Sequence, residues 1–226
     1  MDNIIVALDF ETKEKTLEFL DSFKDKKLYV KVGMELFYKA GAEILTEISK
    51  RQHKIFLDLK LHDIPNTVER AMRAISSYNV FMTTIHAAGG IEMMKAAKRG
   101  LGNDTLLLAV TQLTSTTEES MHYEQNIMTP LNESVLNYVK IAQEAKCDAI
   151  VCSPLEVSML KEKYNKLKYV TPGIRLNTNQ NDDQKRKATP KMAKSFGSDY
   201  IVVGRPITRA KNPLQAYENI LESWRG

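Results

Sequence analysis

The sequence predicts an α/β protein folded as a closed (β/α)8, or TIM, barrel, and three observations predict it. Eight short β-rich runs, at 4–8, 28–32, 55–60, 80–86, 105–111, 147–153, 167–171 and 199–203, start 24, 27, 25, 25, 42, 20 and 32 residues apart. Such intervals hold a strand, a helix and two connections, and are too long for hairpins. Helical periodicity fills the gaps between the runs. The rival architecture, an open doubly wound sheet, commonly carries a GxGxxG turn after its first strand; here that strand runs into LDFETK, which has no glycine.

The elements follow in order. After the first strand, Thr12 is placed to cap the helix KEKTLEFLDSF, whose Leu17, Leu20 and Phe23 share a face. After the second, Gly33 precedes MELFYKAGAEILTEISK, a single helix by its pattern, with Leu36, Phe37, Ala40 and Ile44 on the buried side. Pro65, Pro130 and Pro213 each suit the first position of a helix, the last of them leading a helix that carries Tyr217, Ile220, Leu221 and Trp224. Two segments break the rhythm, 112–129 (QLTSTTEESMHYEQNIMT) and 173–187 (GIRLNTNQNDDQKRK). Connections longer than about 12–15 residues are usually functional or disordered. In a barrel both would lie on the C-terminal face, where active sites are built, so they are expected to act as lids or ligand-gripping loops.

Length and composition narrow the function. At 226 residues one domain, 1–226, is expected rather than two. With 43% apolar residues, 27% charged, 10 Gly and 7 Pro, the chain is neither collagen-like nor low-complexity. The net charge of +4 is spread along the sequence, so no nucleic-acid partner is expected, since that function needs a concentrated basic stripe. No run of 18 apolar residues predicts a membrane helix. The start, MDNIIVALDF, has an acid at position 2 and only a short apolar run, unlike a secretory leader. A cytoplasmic location is the expectation. Cys147 and Cys152 are too few for a disulfide framework and are expected to be buried thiols, while the ten scattered methionines are expected to pack.

The chemistry is concentrated where charges interrupt apolar strands. Asp9 ends strand one, Lys31 interrupts LYVKVG, Asp58 and Lys60 interrupt IFLDLK, and Asp63 follows in LHDIPNT. Side chains alternate along a strand, so Asp58 and Lys60 share one face while Leu57, Leu59 and Leu61 take the other. With the leucines against the helices, both charges point into the barrel, and Lys31 does likewise. Structural ion pairs are the plainer explanation, but buried pairs stabilise poorly. A barrel interior is normally filled by Val, Ile and Leu. An array of Lys31, Asp58, Lys60 and Asp63 is therefore expected to be catalytic, its ammonium groups placed to stabilise and protonate a developing carbanion. In DYIVVGRPITRAKNP, Gly204 and Arg205 follow strand eight, and Arg175 follows strand seven. Barrels often bind phosphate there, so these residues are expected to hold a phosphate rather than only cap the barrel. His62 and His86 with Asp58 or Asp63 raise the question of a metal. Alternation turns His62 away from Asp63 and lysines crowd the site, so no metal is expected; His53 and His122 look like surface or loop residues.

The run DLKLHDIPNT, 58–67, resembles the signature of the orotidine 5′-phosphate decarboxylase family, in its shorter bacterial type. So do ALDF at 7–10, YVKVG at 29–33, AVTQLTS at 109–115, VCSPLE at 151–156, VTPGIR at 170–175, NDDQ at 181–184 and SDYIVVGRPIT at 198–208. The resemblance runs through the chain in order. It implies a (β/α)8 barrel working as a homodimer without metal or organic cofactor, its substrate orotidine 5′-monophosphate. It implies Lys60 as proton donor, Asp58 facing the leaving carboxylate, and Lys31 and Asp63 completing the array. Asp63, Ile64 and Thr67 match substrate-binding positions, Asp63 and Thr67 being contributed across the subunit interface. Asp9 and Lys31 match ribose contacts, Thr114 a residue near the pyrimidine, and Arg175, Gln184, Gly204 and Arg205 the phosphate group. The DxKxxD pattern alone is also similar to a sister family of metal-dependent decarboxylases of keto-sugar phosphates. A barrel that merely binds a nucleotide is the non-enzymatic alternative.

Overall fold

In a computed structural model, which describes residues 2–176 and 186–226, eight parallel strands close into a barrel in sequence order. They are β1 (Ile4–Ala7), β2 (Tyr29–Gly33), β3 (Lys54–Leu61), β4 (Met82–His86), β5 (Leu106–Val110), β6 (Ala149–Val151), β7 (Lys168–Thr171) and β8 (Tyr200–Val203). Every predicted strand is present, with ends moved by one or two residues. Pairing of β1 with β8, Ile4 beside Ile201, completes the ring. Arg225 of the last helix pairs with Asp2 at 2.6 Å beside that closure.

Alternation sorts the strand residues into two cores. Ile4, Val6 and Leu8, Val30 and Val32, and Ile55, Leu57 and Leu59 face outward and pack under the helices. Ile5 and Ala7, Tyr29, Phe56, Met82, Leu108, Tyr200 and Val202 face inward. The lower interior is closed by aromatic rings: Tyr29 lies 4.9 Å from Phe81 and 5.6 Å from Tyr200, centroid to centroid. The Lys54 ammonium sits 4.8 Å over the Phe81 ring, an attraction between cation and ring face.

The helices follow the expected signals with three differences. Thr12 caps Lys13–Asp21, its hydroxyl accepting the Lys15 N–H. Pro65 and Pro213 begin Pro65–Ser76 and Pro213–Arg225, whereas Pro130 is one residue early and caps Leu131–Glu144. The run after Gly33 is two helices, Met34–Ala40 and Glu43–Lys50, because the chain breaks at Gly41 with φ +62°, a conformation open to glycine. Residues 112–129 are not all loop: Thr117 and Ser120 form a reciprocal cap for the helix Glu118–Gln125. Gly100, in Gly90–Leu101, allows that helix to touch Pro65–Ser76, since a Cβ there would lie 2.2 Å from the Glu69 carbonyl oxygen.

His53 is a core residue, not a surface one. It is buried, and its Nδ1 accepts the Leu28 N–H at 3.2 Å. Burial, then the charges of Lys27 and Arg51, lower its pKa to about 4, which keeps the ring neutral and able to accept. Cys147 and Cys152 are free and buried as expected, their thiols pushed up to about 12 by burial. No helix among the described residues is long and apolar enough to cross a membrane.

Candidate active site

The upper ends of β1, β2 and β3 bring four charges together at the mouth of the barrel. Lys31 donates to Asp9 Oδ1 at 3.0 Å, and its Nζ lies 3.8 Å from Asp58 Oδ2. Lys60 Nζ donates to the same Asp58 oxygen at 2.8 Å. Asp58 and Lys31 are largely covered, with side-chain exposures of 10% and 14%, while Lys60 is open at 25% and Asp9 at 63%. The four thus read Asp9, Lys31, Asp58, Lys60 in alternating sign. The shared Asp58 oxygen holds both ammonium groups toward one point.

Strand β3 is distorted where it carries this chemistry. Leu57 pairs with Thr83 and Leu61 with Ile85, so three residues of β3 lie opposite Thr84 alone. Within this bulge Lys60 has φ +52°. The other non-glycine residues with positive φ among those described, Gln52, Asn79, Asn126 and Lys146, lie in turns after helices. A lysine held this way inside a strand stores strain of about 1 kcal/mol or more, a feature that clusters at functional sites. Across the bulge Asp58 and Lys60 both stay on the inner side.

Two adjoining cavities of about 230 Å³ each open from the mouth. One is lined by Lys31, Asp58, Lys60 and Thr114, with Phe56, Val110, Val151 and Val202 as apolar walls. The other is lined by Asp9, Lys31, Arg175, Gly204 and Arg205. Lys31, Pro172 and Val202 belong to both, so the cavities meet there. Arg175 is buried, held by a bond from Nη1 to the Ile174 carbonyl at 2.8 Å. Gly204 precedes the short helix Arg205–Thr208 directly after β8. A wider groove of about 720 Å³ beside the helix Glu118–Gln125 has acidic residues on its wall and, among the described residues, no lysine or arginine.

Most of the expected residues among those described therefore converge, and three do not. Asp63, Ile64 and Thr67 are exposed beyond the mouth; Asp63 accepts the Ile64 N–H at 2.6 Å, and Ile64 is 66% exposed. Gln184 lies outside the described residues. His62 and His86 stand with ring centroids 5.9 Å apart. Burial, then the neighbouring His62 and Lys60, holds His86 below the usual imidazole range, with Asp58 opposing. No group of three or more His, Cys, Asp or Glu side chains able to hold a metal occurs among the described residues.

Three polar residues of the mouth were not anticipated. Thr84 joins the backbone of Lys60 to the carboxylate of Asp58. Arg186 pairs with the buried Glu156 and donates to the Leu113 carbonyl at 2.8 Å, tying together the connections after β5, β6 and β7. Gln112, also buried, donates to Gln125 at 2.9 Å and Ser134 at 3.1 Å, anchoring the helix Glu118–Gln125. Glu156 lies in the run VCSPLE, but its partner lies 30 residues on.

Fold and site together define a (β/α)8-barrel enzyme whose mouth suits a small phosphorylated anion. Residues 2–220 match the model of the orotidine 5′-phosphate decarboxylase / HUMPS family. The chain is 56% identical over 227 residues to an orotidine 5′-phosphate decarboxylase of Staphylococcus haemolyticus (strain JCSC1435), covering 98% of each chain. It is 54% identical over 224 residues to that of Staphylococcus aureus (strain Newman), covering 97% of each. The crystal structure of orotidine 5′-phosphate decarboxylase from Lactobacillus acidophilus superposes with a TM-score of 0.88 at 43% identity, covering 100% of both chains. The chain belongs to the orotidine 5′-phosphate decarboxylase family.

Proposed function

We propose that the chain, as one catalytic unit spanning 1–226, converts orotidine 5′-monophosphate to uridine 5′-monophosphate and CO2, a step of pyrimidine nucleotide synthesis. The observation that carries this assignment is the pair of cavities joined at Lys31. One offers two lysines, a carboxylate and apolar walls to a charged ring, and the other offers two arginines to a phosphate. The near-full-length relatives carry the same activity in their names.

The chemistry follows from the charges. When the bond from C6 to the carboxylate breaks and CO2 leaves, the electron pair stays on C6 in an orbital lying in the ring plane. The ring's π system cannot accept it directly. The Lys60 ammonium, aimed at C6, lowers the free energy of that charge and then transfers a proton to it, after which the amine regains a proton from water. Asp58 fixes Lys60 and faces the departing carboxylate, with preorganised charge as the main effect and repulsion as a smaller one. Asp9 and Lys31 hold the ribose and Thr114 the ring. Arg175, Gly204, Arg205 and Gln184 hold the phosphate, whose binding energy keeps the ring in register.

The working unit is a homodimer in which Asp63 and Thr67, with Ile64 beside them, complete the partner's site; their exposure at the rim is the support for this. Sedimentation at assay concentration reads it directly, and a fully active monomer of 25.7 kDa would remove it. The setting is cytoplasmic, and the reaction uses no metal or organic cofactor.

The experiment is the loss of orotidylate absorbance with and without EDTA. Equal rates are expected. Loss of activity to the chelator would contradict the metal-free chemistry, and no turnover of orotidylate at all would leave the sugar-phosphate decarboxylase and the nucleotide-binding barrel as the remaining readings.

A further inference from the structure

We propose that Thr84 is a positioning residue for the decarboxylation, setting both the backbone of Lys60 and the carboxylate of Asp58 through one hydroxyl. This rests on the assignment of Lys60 and Asp58 above. Thr84 follows Met82 on the inner face of β4, is wholly buried, and does not line the cavity. It stands alone opposite the three bulged residues of β3.

Its Oγ1 accepts the Lys60 N–H at 2.9 Å and donates to Asp58 Oδ1 at 3.0 Å. A backbone N–H can only donate and a carboxylate only accept, so the group between them must do both, and a hydroxyl does. The first bond satisfies an N–H that the bulge has taken out of the regular ladder, and so supports the left-handed conformation of Lys60. The second bond occupies Oδ1 and leaves Oδ2 for Lys60 at 2.8 Å and Lys31 at 3.8 Å. Thr84 therefore decides where the Lys60 side chain begins and where its anchoring oxygen points. The effect belongs to the chemical step, because ribose and phosphate contacts are made by other strands.

The test compares Thr84→Val, which keeps the shape and removes the hydroxyl, with Thr84→Ser, which keeps the hydroxyl. In Thr84→Val, kcat should fall by about tenfold to a hundredfold, the consequence of two stranded buried polar groups at the reacting centre. KM for orotidylate should stay within about threefold of the parent, since substrate contacts are unchanged. Thr84→Ser should restore kcat to within about threefold. Exchange of the Lys60 amide proton should quicken by about tenfold or more in the Val variant and not in the Ser variant. Should Thr84→Val fail to fold, Thr84→Ala against Thr84→Ser makes the same comparison without the methyl group. Equal kcat in the hydroxyl-bearing and hydroxyl-free variants would overturn the proposal. Lys60→Ala, run alongside, separates the two levels: an inactive Lys60→Ala with a fully active Thr84→Val refutes the role of Thr84 alone. A fully active Lys60→Ala refutes the assignment beneath it.

Discussion

On β2, Tyr29 and Lys31 are two residues apart and both point into the barrel; on β3, Phe56 and Asp58 repeat the pattern. The lower member of each pair joins a plug of packed side chains, and the upper one joins a row of charges. A step of about 7 Å along a strand thus separates an interior that serves stability from one that does not. The lower end obeys the packing rule for buried surface. The upper end gathers two ammonium groups and a carboxylate under partial cover and bends β3 to do it, an arrangement with little to recommend it for folding. The difference teaches that burial alone does not define a core, and that strain and charge together mark the part of a barrel reserved for chemistry.

The sharpest way to break this comparison is Lys60→Ala. Turnover of orotidylate should fall by about a thousandfold or more, the scale of losing a positioned proton donor, while near-ultraviolet dichroism still reports a packed barrel. Retention of near-normal kcat would sink the division. At the other end, Tyr200→Ala removes a ring packed against Tyr29 and Phe81. It should cost about 3 kcal/mol or more in urea unfolding and leave kcat at 25 °C nearly unchanged. If kcat fell as it does for Lys60→Ala in a barrel that is still folded, the two ends would not be separable. The smallest effect is the most specific. Because position 60 has φ +52°, Lys60→Gly should be more stable than Lys60→Ala by about 1 kcal/mol. Unfolding curves for the two give the answer, and an alanine variant at least as stable would show that the backbone there is unstrained.

The sequence made the repeating units legible because their spacing and periodicity are local. It also made legible that Asp58 and Lys60 share a face, since Leu57, Leu59 and Leu61, which alternate with them, must meet helices. The bulge was not legible, because its support is a hydroxyl on β4 that no local pattern around DLK points to. The break at Gly41 was masked by apolar spacing that continues across it. His53 was misjudged because a polar ring next to Lys54 looks solvated, and only the Leu28 N–H, 25 residues earlier, shows why it is buried. Asp63 does not join the other three charges within one chain, because the chain leaves the strand after Leu61 and carries it to the rim.

Closure of the ring between β1 and β8 has a consequence for how the protein is made. Synthesis runs from the amino terminus, so β1 emerges first and has no second neighbour until some 195 residues later, when Ile201 arrives beside Ile4. Asp9 and Arg205 line the same cavity from the two sides of that seam. Pairing so distant in the chain is slow and leaves unpaired strand edges exposed meanwhile. The last of the eight strands to be synthesised is therefore the one that turns an open sheet with two unpaired edges into a sealed cylinder, and the cavity shared by Asp9 and Arg205 comes into existence in the same event.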